Sequence, residues 1–277
     1  VVNHNLMAAN SSRYLNTHYK ALSDSTRKLS SGLRVETAAD DAAGLAIREL
    51  MRADIAALNQ GVRNANDGIS LIQTADGALG VIDEKLVRMK ELAEQAATGT
   101  YDSTQRLIID SEYQQMASEI TRIANATDFN GIKLLDGNLS SDTHDGTGLV
   151  STGKLKIHFG TANDSAEDYY YIQIGDSTAS ALGVGNANGG GAGHDISTQA
   201  NAQKALDAIN NAIVSKDNIR AHLGALQNRL ENTITNLEVQ SENLQSAESQ
   251  ISDVDVATEM TNFVRNQILT QSAVLKA

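Results

Sequence analysis

The stretch from Ile219 to Val254, IRAHLGALQNRLENTITNLEVQSENLQSAESQISDV, decides the fold. Within it Ile219, Leu223, Leu226, Leu230, Thr233, Leu237, Gln240, Leu244, Ala247, Ile251 and Val254 are separated alternately by four and three residues. Ten consecutive steps of that kind define the seam of a helix that packs along its length against another helix. Each fully buried Leu or Ile contributes roughly 1.5–3 kcal/mol. The seam therefore supplies tens of kcal/mol gross, opposed by the conformational entropy of ordering the chain.

The natural partner lies upstream. Leu58, Val62, Ala65, Ile69, Ile72, Leu79, Ile82, Leu86 and Met89 keep the same three/four spacing, with a small slip near Ala75, until Thr98-Gly99. A helix over 40–98 would be about 90 Å long at 1.5 Å per residue. Thr37-Ala38-Ala39-Asp40 reads as the capping box that starts it. No proline occurs anywhere in the 277 residues, so nothing forces a kink. A second cap at Asp102–Gln105 opens a third apolar stripe, Ile109, Tyr113, Met116, Ile120 and Ile123, which ends at the turn signal Asn130-Gly131. Nearer the start, Leu15, Leu22 and Leu29 make a thinner helical seam that stops at Ser30-Ser31-Gly32.

Between these helical ends the period changes. Leu155, Ile157 and Phe159 alternate, as do Tyr170, Ile172 and Ile174, and Thr161 to Asp168 join them, which predicts a β-hairpin with a long loop. Residues 183–195, with Gly189-Gly190-Gly191 and Gly193, have linker composition. The expected fold is mainly α, an elongated rod of long antiparallel coiled-coil-like helices with a small β-hairpin region and helical chain ends.

Composition removes several classes of function. Aromatic residues make up 4% of the chain and tryptophan is absent, which argues for narrow Ala/Leu/Ile/Val seams rather than a wide core. Cysteine is absent, so no disulfide, thiolate metal site or cysteine nucleophile is available. No run approaches 18 apolar residues, which argues against membrane insertion, and Val1-Val2-Asn3-His4-Asn5 has none of the marks of a secretory signal. The net charge is −12, but residues 1–34 carry Arg13, Lys20, Arg27, Lys28 and Arg34 against Asp24 alone. Residues 231–277 carry seven acids against Arg265 and Lys276. Complementary pairing of the two ends is the preferred reading over nucleic acid, because the basic residues lack interleaved aromatics.

Chemistry finds no foothold. His4, His18, His144, His158, His194 and His222 are scattered without metal-ligand spacing. Asp142, His144 and Asp145 cluster in a Ser/Asp/Gly-rich turn that reads as a solvated loop, since it lacks the pattern of a calcium loop. Gly183-Val184-Gly185-Asn186-Ala187-Asn188-Gly189 imitates a dinucleotide fingerprint without the strand before it or the helix after it. No nucleophile elbow is present. The expectation is a non-enzyme without cofactor or metal.

Leu29-Ser30-Ser31-Gly32-Leu33-Arg34, continuing through Ala39-Asp40-Asp41-Ala42-Ala43-Gly44-Leu45-Ala46-Ile47, resembles the amino-terminal region of bacterial flagellins. Arg63-Asn64-Ala65-Asn66-Asp67-Gly68-Ile69-Ser70, Gln73-Thr74-Ala75-Asp76-Gly77-Ala78-Leu79 and Phe129-Asn130-Gly131 are similar to the family's next blocks. Leu223-Gly224-Ala225-Leu226-Gln227-Asn228-Arg229 and Ile251-Ser252-Asp253-Val254-Asp255-Val256-Ala257-Thr258-Glu259 match its carboxyl side. The likeness covers about 1–135 and 196–277 in the family's order.

The resemblance implies an inner-core arm at 1–35, the first half of a rod domain at 36–135, a short outward-facing variable region at 136–195, a rod helix at 196–250 and a second arm at 251–277. The rod seam falls on Leu58, Val62, Ile69, Ile72, Leu79, Ile82, Leu223, Leu226, Leu230, Leu237 and Leu244. Family members extend further at both ends, which implies a trimmed chain with weakened polymerisation. The implied function is the extracellular filament of the bacterial flagellum, a helical homopolymer for motility, exported by the flagellar type III apparatus. Implied partners are other copies of the chain, a secretion chaperone, the cap and the hook-junction proteins. Arg88, Leu92 and Glu112 match the family's determinants for Toll-like receptor 5. A hook-filament junction protein, or a free monomer acting as adhesin or signalling ligand, are the alternatives. The arms, thin in apolar surface, are expected to order only on assembly.

Overall fold

The computed structural model describes residues 6–147, 152–165, 167–185 and 193–274. Among them are five helices, α1 (Leu6–Ser31), α2 (Ala42–Ala97), α3 (Ser103–Ala126), α4 (Gln199–Ser252) and α5 (Val256–Val274). Three small antiparallel strand pairs lie between α3 and α4. The glycine run Gly189-Gly190-Gly191, and most of the dinucleotide-like run, lie outside the described residues. The chain divides into two compact units, residues 1–59 with 238–277 and residues 60–237, and the division falls inside α2 and α4.

The larger unit holds the main core. Ile72, Leu79, Ile82, Leu86 and Met89 of α2, Ile109, Tyr113 and Ile120 of α3, and Ile209, Leu223, Leu226 and Leu230 of α4 are buried in one cluster. Arg220 pairs with Asp76 at 2.7 Å, and Lys216 pairs with Asp83 across the same two helices. The pairing runs in opposite chain directions, so α2 and α4 are antiparallel. Lys216 is fully buried while its ammonium meets Asp83 and, at 2.8 Å, Asp217. Asp102 caps α3 by accepting from the Gln105 N–H at 2.7 Å, and the Gln105 side chain returns the bond to the Asp102 N–H.

The strands are β1 (Asp128–Phe129), β2 (Ile132–Lys133), β3 (His144–Asp145), β4 (Thr152–Gly153), β5 (Leu155–His158) and β6 (Tyr169–Ile172). Asn130 (φ 51°) and Gly131 (φ 81°) form the two-residue turn between β1 and β2, where both central residues must be left-handed. The hairpin β5–β6 pairs Leu155 with Ile172, Lys156 with Tyr171, Ile157 with Tyr170 and His158 with Tyr169. Its inner face, Leu155, Ile157, Tyr170 and Ile172, packs on the helical core. Gly61 makes the close approach feasible: a Cβ there would meet the Phe159 carbonyl oxygen at 2.0 Å. Beside it the Asn64 amide donates to the His158 carbonyl at 2.8 Å.

In the smaller unit α1 packs against α5. Gly32 (φ 73°) ends α1, donating its N–H to the Lys28 carbonyl at 2.9 Å. The two connecting segments then meet: Leu33 and Asp253 form an antiparallel bridge, the Arg34 N–H donates to the Ser252 carbonyl at 2.6 Å, and the Val254 N–H donates to the Gly32 carbonyl at 3.0 Å. The Arg34 guanidinium donates to the carbonyls of Gln250 (3.2 Å) and Ile251 (2.7 Å), which satisfies the exposed C-terminal end of α4.

Two expectations need correction. The box at Thr37–Asp40 does not start α2; Asp40 instead closes a turn by accepting from the N–H groups of Glu36 and Thr37, and Asp41 caps the helix through Ala43 and Gly44. The oppositely charged ends do not pair as ions among the described residues, because Arg27 meets Asp24, Glu36 and Asp40 instead. Both arms are helical, α1 over Leu6–Ser31 and α5 over Val256–Val274, and they pack on each other.

Candidate assembly interface and recognition site

The contact between α1 and α5 mixes polar side chains with a few half-buried apolar ones. In α1 the covered positions are Ser11, Leu15, His18, Leu22, Ser25 and Leu29, at three/four spacing. In α5 the less exposed face is Glu259, Asn262, Phe263, Asn266, Thr270 and Ala273, and among its described residues only Thr270 is buried. Apart from Phe263 and Ala273, the larger share of the apolar side chains of α5 points the other way: Val256, Met260, Val264, Ile268 and Val274 are all exposed, Ile268 by 56%. Val256, Met260, Val264 and Ile268 recur every four residues, so they form one stripe. Met260, Thr261, Val264, Arg265, Ile268 and Leu269 line an open groove of about 540 Å³ along it. Leu6, Met7, Tyr14 and Tyr19 add exposed apolar surface on α1. A helix that covers its polar face and leaves its apolar face bare reverses the usual amphipathic arrangement. Such a face marks an interaction surface.

A different arrangement surrounds Arg88. Its guanidinium bridges α2 and α3, with Nε 2.9 Å and Nη2 2.8 Å from Glu112 Oε1, while Nη1 lies 2.8 Å from Glu91 Oε2. Bonds first to Glu91 and then to Glu112 raise the pKa of Arg88. All three side chains are about half exposed, so the cluster adds little stability. Its effect is to hold a planar charged fork in one orientation. Leu92 is not part of that surface. It is 2% exposed and belongs to the core with Ala93 and Ala96. The exposed apolar neighbour is instead Ile108, one helical turn before Glu112 and 69% exposed.

Of the expected seam residues, Leu58, Ile72, Leu79, Ile82, Leu223, Leu226, Leu230 and Leu237 are buried, and Val62, Ile69 and Leu244 are half-buried. The sequence reading overlooked Glu91, Ile108 and the outward stripe of α5, although the four-residue repeat of that stripe was visible. The cation candidate Asp142, His144, Asp145 does not converge: Asp145 bonds Thr147, and His144 Nδ1 lies 2.8 Å from the Lys154 carbonyl oxygen. Among the described residues no three His, Cys, Asp or Glu side chains are grouped to hold a metal ion. No helix there is long and apolar enough to cross a membrane.

Comparison with known proteins adds the decisive observation. Residues 2–140 match the bacterial flagellin N-terminal helical region, and residues 206–275 match the C-terminal helical region. The chain belongs to the bacterial flagellin family. It is 43% identical to a flagellin of Halalkalibacterium halodurans over 99% of this chain and 93% of that one. It is 40% identical to the flagellar filament 33 kDa core protein of Treponema phagedenis, over 98% of this chain and 93% of the relative. A solved structure from Vibrio parahaemolyticus, described as a flagellar hook-associated protein, covers 77% of this chain and 100% of its own at a TM-score of 0.58. At 14% identity that likeness shows the fold alone. The family is a structural one whose members build flagellar filaments, and self-polymerisation follows from membership.

Proposed function

We propose that this flagellin builds a motile filament by covering the bare apolar stripe of α5 with neighbouring copies of itself. The single observation that supports this is the outward stripe Val256, Met260, Val264 and Ile268, which stays exposed where α1 packs on α5. Desolvating the four side chains would yield several kcal/mol per subunit at about 25 cal/mol per Å². The filament lies outside the cell, and export by the flagellar type III route keeps the stripe from water until assembly. A secretion chaperone on this carboxyl-terminal segment, and cap and hook-junction proteins at the filament ends, complete the expected partners.

The test is seeded polymerisation of the full-length protein followed by sedimentation and electron microscopy. Val264→Asp with Ile268→Asp should abolish sedimentable filaments while leaving the helical circular dichroism of the free chain unchanged. Filaments of normal length from that variant would rule the stripe out as an assembly contact.

A second reading is supported by the Arg88–Glu112 fork. The free chain would be a ligand of Toll-like receptor 5, with the fork as its charged contact and Ile108 beside it as the apolar one. Leu92, the matching family position, would act from beneath by seating Arg88. Arg88→Ala and Glu112→Ala should each lower receptor activation without lowering the melting temperature, whereas Leu92→Ala should lower both. Unchanged potency of Arg88→Ala would count against the site.

A further inference from the structure

The two ends of the chain carry opposite charge yet do not meet as ions within one copy, and their unpaired charges fall into two matched ladders. On α1 the covered positions Leu15, Leu22 and Leu29 mark one face, and Arg13 and Lys20 lie on the opposite one. Both are exposed, and seven residues of helix put them two turns, about 10 Å, apart. Arg13 donates to the Asn10 side chain at 3.0 Å, and neither base meets a carboxylate among the described residues. Asp24, the acid on that face, lies 3.5 Å from Arg27, whose guanidinium also draws Glu36 and Asp40. Lys28 is half-buried at the edge of the face.

On α4 the exposed residues Glu231, Glu238 and Glu242 follow one another at seven and four, so their carboxylates share one face beside the buried seam. The Gln227 amide donates to Glu231 at 3.0 Å, and no cation reaches any of the three among the described residues. Arg229 is the last Lys or Arg of α4, and it is drawn to the Tyr170 ring, 3.6 Å from the centroid. Arg52, on α2, goes instead to Glu49 and Glu248, both at 3.8 Å. Glu231 and Glu238 therefore repeat the spacing of Arg13 and Lys20 with the opposite sign. Two helices laid side by side satisfy both pairs at once.

We propose that the basic face of α1 docks on the acidic stripe of α4 in a second copy of the chain. This rests on self-polymerisation, which follows from family membership, and not on the apolar stripe of α5. An anionic membrane would use Arg13 and Lys20 but leave the matching carboxylates without a role, whereas another copy engages both. In a chain of net charge −12, copies repel one another overall, and a contact of opposite sign offsets that repulsion where the helices meet. Each exposed pair adds little by itself. Complementary ladders act by fixing register and speeding encounter, and in a homopolymer every subunit repeats the contact.

The test is seeded growth of the full-length protein at about 0.05 M salt, where charges about 10 Å apart still interact. One variant carries Arg13→Glu with Lys20→Glu, the other Glu231→Lys, Glu238→Lys and Glu242→Lys. Each alone should elongate at least about tenfold more slowly than the parent, because a reversed face adds one layer to parent seeds and then repels its own kind. An equimolar mixture should recover the parent rate and give filaments containing both variants, since each reversed face meets its complement on the other. The first variant raises the net negative charge and the second lowers it, so overall repulsion does not slow both. Circular dichroism checks that the helices persist in each. Parent-like growth of either variant alone, or a mixture as slow as its components, would overturn the inference. A slow mixture together with loss of binding of the first variant to phosphatidylglycerol vesicles would assign the basic face to a membrane instead. If the reversals and their rescue behave as expected while Val264→Asp with Ile268→Asp assembles normally, the charged contact stands and the apolar-stripe reading fails.

Discussion

Gly61 and Gly77 lie sixteen residues apart on the same helix and answer the same substitution in opposite ways. A Cβ at Gly61 would collide with the Phe159 backbone, whereas one at Gly77 meets nothing within 4 Å. Gly61→Ala should therefore cost about 1–3 kcal/mol by overpacking and disturb the tyrosine circular dichroism of the hairpin. Gly77→Ala should gain up to about 1 kcal/mol from helix propensity. Thermal unfolding of both variants checks the contrast. Asp40 makes a pH-dependent prediction at the same scale. The Thr37 N–H, its hydroxyl and the Arg27 guanidinium hold the Asp40 carboxyl down to about 2 from 3.8. Because the folded value lies below the unfolded one, the turn is fully stabilised above the unfolded value and loses that support as pH falls towards 2. Amide chemical shifts of residues 36–40, followed between pH 5 and about pH 2, should show this transition in the parent and not in Asp40→Asn.

At the scale of elements, the long helices were legible because their seams repeat far beyond what chance spacing allows. Asp102 was legible as a cap because its partner Gln105 sits three residues on. What escaped was the local competition between equivalent signals: Asp40 and Asp41 are adjacent, and only the turn geometry decides which caps α2. The seam of α4 also drifts. Gln240 was expected inside, yet it is exposed and Ser241 is buried next to Asn59. A straight helix has 3.6 residues per turn, so a strict seven-residue register slides by one position when no close supercoil corrects it. The break at residues 253–255 was hidden for another reason. Ile251 and Val254 continue the spacing, but Asp255 accepts from the N–H groups of Ala257 and Thr258 and begins α5 afresh. Lys216 was invisible as a core residue because its charge masks its position on the seam. Asp83→Asn should destabilise the α2–α4 pairing by about 1–2 kcal/mol, less than a wholly buried pair because Asp83 is partly exposed and Asp217 remains. Lys216→Met should be close to neutral in urea unfolding, since its volume fits without a desolvated charge.

For the whole molecule, the two compact units differ in what holds them. The unit of residues 60–237 has a continuous apolar core, while α1 and α5 bury Ser25 and Thr270 between them but no large apolar side chain. Opening free energy follows buried apolar contact. Hydrogen exchange of the free chain should therefore be fast in α1 and α5 and slow in the buried turns of α2 and α4, and assembly should slow the two arm helices selectively. The recognition site was only half legible: the charged fork follows from matching residue types, but the burial of Leu92 and the exposure of Ile108 depend on how α2 and α3 are rotated, which spacing alone does not fix. The outward stripe of α5 has a thermal consequence as well. Removing apolar surface from water carries a negative heat-capacity change and is driven by entropy near room temperature. A polymer held through Val256, Met260, Val264 and Ile268 should loosen in the cold and tighten on gentle warming, until the arm helices themselves melt.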